Sequence, residues 1–222
     1  MLDKLTFSVY TRLFTPIKIC LIIYLAAMAF PIVFNYVGMI FAAGIMMAFE
    51  VGLSAPIALE LFANILTITV WPLMLAGVFL LRRTIKLYAV SWLCIAAQVL
   101  LSCVLLPPLS ERYGEPDFPV YLAVMYVLLV LCAVATGVMT LIGRGNKWIM
   151  VGAAALGAIL FVVTLFAGQE CFVGTVGVVA PHIWGNGGNL FGRINLICVF
   201  IANISLFASA VLVSLSHEPT YY

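Results

Sequence analysis

The sequence predicts an all-α, polytopic membrane protein with six transmembrane helices, and three observations carry that prediction. Hydrophobic residues make up 66% of the 222 positions and charged residues 8%, with a mean hydropathy of +1.25, a balance foreign to water-soluble domains. Apolar runs near the 20 residues needed to cross a bilayer recur along the chain. The few charges are sorted by sign between those runs. Basic residues cluster at Lys4/Arg12/Lys18, Arg82/Arg83/Lys86 and Arg144/Lys147, and acidic ones at Glu50/Glu60, Glu111/Glu115/Asp117 and Glu170. That alternation is the positive-inside pattern.

Residues 1–15 alternate apolar and polar in a loosely helical way, which suits a short helix lying on the basic-side membrane surface. Lys4, Arg12 and Lys18 ahead of an apolar run ending in Ala27-Met28-Ala29 have the look of a signal peptide. The charged stretch is long for that, and hydrophobicity continues past the site, so 19 onward reads as a retained anchor. The stretch 19–49 is too long for one ordinary crossing and too short for two. Lys18 and Arg82 must share a side, so an even number of crossings separates them: one at about 19–43, kinked at Pro31 and Asn35, and one at 57–81. Further crossings follow at 86–106, 119–142, 147–167 and 194–215. Tight basic turns join two of the hairpins, and the acidic link 107–119 joins another. The whole chain, 1–222, then forms a single transmembrane helical domain.

The stretch 168–192 holds seven of the seventeen glycines, together with Pro181, His182 and Trp184. Its apolar part, 171–184, would rise only about 21 Å as a helix, short of the hydrocarbon core. It reads as a re-entrant or interfacial loop on the acidic side, with a seventh crossing as the alternative. In the six-crossing arrangement the basic side carries eight Lys/Arg and the acidic side two. This places both termini in the cytoplasm, in a membrane of the bacterial inner (plasma) type.

Polar side chains inside the membrane are the strongest site indicators, because lipid penalises them. Glu60, Asn64, Thr67 and Trp71 share one face of 57–81. Ser91, Cys94, Gln98 and Ser102 share one face of 86–106, and Asn195, Cys198, Ala202, Ser205 and Ser209 form a stripe in 194–215. Ser, Cys and Ala at such positions read mainly as helix packing. Glu60, Asn64 and Gln98 weigh evenly between packing and a ligand-binding cavity, since an amide or carboxylate costs more to bury than a hydroxyl. Gly44/Ala48/Gly52, Ala153/Gly157 and Ala154/Ala158 have the spacing of close-packing ridges, and read as internal packing before partner docking.

The remaining chemistry is sparse. No CxxC pair or metal-ligand spacing occurs among the six cysteines, five of which fall inside apolar runs. Cys103 and Cys171 are a candidate disulfide if the acidic side is oxidising. His182 and His217 lie outside the crossings and cannot supply paired haem ligands. Neither a Gly-x-Ser-x-Gly elbow nor a converging Ser/His/Asp set is present. No lysine sits mid-membrane to form a Schiff base. Short basic clusters do not make a nucleic-acid-binding face. These features favour a non-catalytic protein, without cofactor or metal, that works by association as a subunit or accessory and recognition factor of a larger membrane assembly. Its partners would be membrane lipid and another integral membrane protein. The alternative is a small transporter or substrate-binding subunit, with a small-molecule cavity open to the external side. The expected ligand or partner surface comprises Glu60, Asn64, Gln98, Glu170, Phe172, His182 and Trp184.

Overall fold

The computed structural model describes residues 7–33, 41, 44, 55–81, 85–105, 120–142, 146–167 and 190–216. Among them the chain forms six α-helices and no strand: α1 (Phe7–Pro31), α2 (Ala55–Leu80), α3 (Lys86–Val99), α4 (Val120–Ile142), α5 (Lys147–Ala167) and α6 (Leu190–Leu215). A π-helical segment, Leu100–Leu105, extends α3. Five helices are long and apolar enough to cross a membrane, over 12–31, 61–80, 86–105, 124–142 and 197–215. A sixth apolar stretch on α5, Lys147–Val163, is shorter. The chain is therefore an integral membrane protein of the all-helical kind.

Its outer surface fits that solvent. Phe79 is 76% exposed, Ile159 60% and Leu131 57%, side chains that lipid tolerates and water does not. The inner faces follow helical periodicity. On α1, Ile17, Leu21, Tyr24, Leu25 and Met28 are buried while Ile19, Ile22 and Ile23 face outward.

α1 begins at Phe7, ahead of Arg12 and Lys18, and runs unbroken through both cations and Pro16. Residues 7–15 of the expected surface helix and the expected start of the first crossing at 19 thus fall within one continuous element, and 1–6 lie outside the described residues. Arg12 is exposed and Lys18 half-buried, so their apolar stems can lie along the helix while the charges reach the headgroups. Proline at position 16 removes one backbone bond to Arg12, a loss one turn of helix can absorb where solvent or headgroups are near. Ile32 and Val33 beyond Pro31 are π-helical; Asn35 lies outside the described residues.

Each helix packs on its neighbours in sequence, and α6 packs extensively on α1, so the six close into a ring. The α3–α4 pair is antiparallel: Gly137 of α4 abuts Ala89 and Leu93 early in α3, whereas Cys103 at the far end of α3 clusters with Tyr126 early in α4. Lipid offers no hydrophobic gain for helix association, so close approach must supply the attraction. Gly157 shows how close. An added Cβ there would lie 2.7 Å from the Phe207 ring of α6. Of the expected ridges on α5, Gly157 and Ala154 are buried, and their partners Ala153 and Ala158 are half-buried.

Two helix ends are tied off by side chains. Asn146 Oδ1 accepts the backbone N–H of Trp148 at 3.0 Å, capping α5. Ser216 donates its hydroxyl to Val213 O at 2.6 Å, closing α6.

Candidate functional site

The bundle centre is filled by aromatic rings. Tyr88 and Trp92, one turn apart on α3, are both fully buried. Trp92 meets Phe207 of α6 with ring centroids 5.3 Å apart, and Phe207 meets Phe161 of α5 at 6.2 Å. Across the ring, Tyr88 Oη lies 3.0 Å from Ser209 Oγ. Ser209 already commits its one proton to Leu206 O at 2.6 Å. A serine hydroxyl has a single O–H, so Tyr88 must be the donor and Ser209 the acceptor. The bond therefore stitches α3 to α6 in one direction only.

The polar faces of α2 and α3 come next. Asn64 and Thr67 are buried on α2, and α2 packs against both α3 and its π-helical extension. Thr67 donates to Ala63 O at 3.1 Å, and the half-buried Trp71 donates Nε1 to Leu25 O of α1 at 2.9 Å. On α3, Ser91 donates to Leu87 O at 2.8 Å.

Gln98 and Ser102 form a closed unit with the π turn. Ser102 Oγ donates to Gln98 O at 2.7 Å and accepts from Gln98 Nε2 at 3.2 Å. Cys103 Sγ lies 3.4 Å from the same hydroxyl. With the Ser102 proton spent on Gln98 O, the thiol is the donor. One donor and two acceptor positions exhaust a hydroxyl. Ser102 keeps no capacity for a solute. In the wider π turn a carbonyl pairs with the fifth residue on rather than the fourth, and the Ser102 hydroxyl covers the Gln98 carbonyl from the fourth position.

The same economy recurs elsewhere. Thr136 bonds Cys132 O at 2.8 Å, Asn203 bonds Val199 O at 2.8 Å, and Ser214 bonds Ala210 O at 2.7 Å. These donors turn back onto their own helix, which is how short polar side chains satisfy themselves where water is absent. Among the described residues Thr140 Oγ1 is an exception, buried with no acceptor in hydrogen-bond geometry, and Trp92 Nε1 has only the Tyr88 hydroxyl within electrostatic reach, outside good hydrogen-bond geometry.

Of the residues expected to form a ligand or partner surface, the structure puts Asn64 buried on α2 and Gln98 half-buried near the end of α3. Glu60 is helical on α2, its side chain outside what is described. Glu170, Phe172, His182 and Trp184, with the whole 168–189 stretch, lie outside the described residues. Cys103 is a free thiol, and Cys171 is likewise outside them. Among the described residues no three His, Cys, Asp or Glu side chains gather into a metal-binding group.

Sequence reasoning missed Tyr88, Trp92 and Phe207. Tyr88, Trp92 and Ala96 do recur at four-residue spacing, and that stripe was the available signal. Its aromatic members stand next to Lys86, where aromatic side chains ordinarily mark the membrane–water interface. No protein-family model matches the chain, and no curated protein or solved structure matches it either.

Proposed function

We propose that the protein is a non-catalytic membrane subunit or accessory factor that acts by associating with another integral membrane protein. One observation carries this reading: the interior is used for packing. Tyr88, Trp92, Phe161 and Phe207 pack together in the buried core, and Ser102, which shares a face of 86–106 with Gln98, is saturated by its own helix. A carrier needs polar groups that face a solute, and apart from Thr140 the Thr and Ser donors described here face their own backbone.

Six crossings belong to the same proposal. The 21 residues of α5 rise about 31 Å, enough for a hydrocarbon core of about 30 Å. The eight-to-two division of Lys and Arg then puts both termini in the cytoplasm of an inner-membrane protein.

Purification from native membranes in mild detergent tests the association. A membrane protein that stays stoichiometric through size exclusion, and that retrieves this chain when itself tagged, supports it. A co-purified small molecule with no protein partner would instead favour the transport reading, for which the burial of the Asn64 amide is the specific argument. Cysteines placed at Glu60, Asn64 and Gln98 in a cysteine-free background separate the two further. Reaction of all three with a water-soluble thiol reagent means an aqueous cavity; protection of all three means interhelical packing.

A further inference from the structure

Among the described residues the ring is unevenly closed. α1 packs extensively on α6 but meets α2 far more sparsely, whereas α2–α3, α3–α4, α4–α5 and α5–α6 are all well joined. Glycine contacts at Gly137 and Gly157, the Tyr88–Ser209 bond and the Trp92–Phe207 contact lock α3 to α6 into a frame.

The two helices flanking the sparse seam are also the two that carry interior prolines. α1 contains Pro16 and Pro31 and α2 contains Pro72, while α3 to α6 contain none over their helical spans. Proline removes the bond to the carbonyl four residues back and crowds it, which makes a helix bend there. For Pro72 that carbonyl belongs to Ile68, in mid-helix. Trp71, the residue just before Pro72, sends its indole N–H to Leu25 O of α1.

Helical geometry says what lies behind this contact. Residues seven apart share a face, so Asn64 stands on the Trp71 side of α2. Gly77, by contrast, abuts Tyr88 and Leu87 of α3 and marks the opposite flank. The buried Asn64 amide is therefore on the α1 side, along the seam.

We propose that the ring opens laterally between α1 and α2. The α3–α6 frame stays fixed, α2 flexes at Pro72, the Trp71–Leu25 bond is the latch, and opening uncovers Asn64 to the lipid phase. This holds whether the protein works by association or by carrying a solute. In the first case a partner's membrane segment reaches Asn64 from the side; in the second a lipid-soluble molecule does.

Double electron–electron resonance on liposome-reconstituted, cysteine-free full-length protein tests it. One spin-label pair spans the seam through Ile23→Cys and Thr69→Cys, both outward-facing. A control pair, Leu131→Cys and Leu156→Cys, lies on α4 and α5 of the frame and also faces outward. The seam pair should show a second, longer distance absent from the control. Trp71→Phe keeps the ring and removes the donor, and should raise that longer population roughly 2- to 10-fold, the effect of losing one net hydrogen bond. Pro72→Ala should lower it by stiffening α2, and decides the matter should Trp71→Phe fail to fold. A seam distribution as narrow as the control in the wild type, and unmoved by whichever variant folds, overturns the proposal.

Discussion

Gly157→Ala should loosen the bundle although alanine is the better helix former. The new methyl group would stand 2.7 Å from Phe207 Cε1, with Cys132 Cβ and Phe207 Cδ1 each at 3.4 Å. Carbon atoms in favourable contact sit at about 3.5–4.0 Å, so roughly 1 Å of overlap must be relieved. Rotation of the Phe207 ring is obstructed, because Trp92 and Phe161 pack against it. Overpacking of this kind costs about 1–3 kcal/mol, against a helix gain of about 0.5–1 kcal/mol for replacing glycine. Gly152→Ala, on the same helix, is the internal reference: it is exposed and an added Cβ there has nothing within 4 Å. The helix gain cancels between the two variants, leaving Gly157→Ala less stable than Gly152→Ala by the steric cost of about 1–3 kcal/mol. Reversible unfolding in mixed micelles, followed by titrating a denaturing detergent, measures the difference. Phe207→Leu should partly relieve the clash, so the double variant should fall short of the summed single costs. Equal stability of Gly157→Ala and Gly152→Ala, within about 0.3 kcal/mol, would refute the close approach of α5 and α6.

Three further outcomes are expected. Ser209→Ala should cost more than Tyr88→Phe, about 1–3 against about 0.5–1.5 kcal/mol, since only the former strands a buried donor; the same unfolding assay and a double-mutant cycle check the order. Ser102→Ala removes the acceptor for both Gln98 Nε2 and Cys103 Sγ and should collapse the π turn into α-helix. Cys103 would then rotate away from Tyr126 and become reactive to a membrane-permeant maleimide, which mass spectrometry detects. Replacing Phe172, His182 and Trp184 together by Ala should abolish partner capture while leaving expression and insertion intact; full retention of the partner would reduce 168–192 to a connector.

Composition and charge order made the helical membrane class legible, because lipid imposes both on any chain that crosses it. The start of α1 was hidden by Lys18, which read as a boundary although a helix near headgroups can accommodate a snorkelling amine. The Gln98/Ser102 stripe was visible as polar residues at helical spacing. Its closure on itself was not, because the π turn that brings both groups and Cys103 together leaves no mark in a 3.6-residue periodicity. The aromatic centre escaped for a different reason. Tyr88 faces Ser209 over 121 residues of chain, and no local pattern encodes a partner that distant.

The π segment Leu100–Leu105 also sets where the chain can change length. Removing one residue from a regular helix turns everything beyond it by about 100°. A deletion between Tyr88 and Ala96 would therefore swing Cys103 and its neighbours off the α4 face. A π turn already holds one residue more than an α turn spanning the same gap. Losing a residue between 100 and 105 lets that turn relax to α-helix, with α3 ahead of it left in place. Single-residue deletions scanned along α3 should thus find their one tolerant window there, and lineages of this protein can be expected to differ in length at that place before any other in the helix.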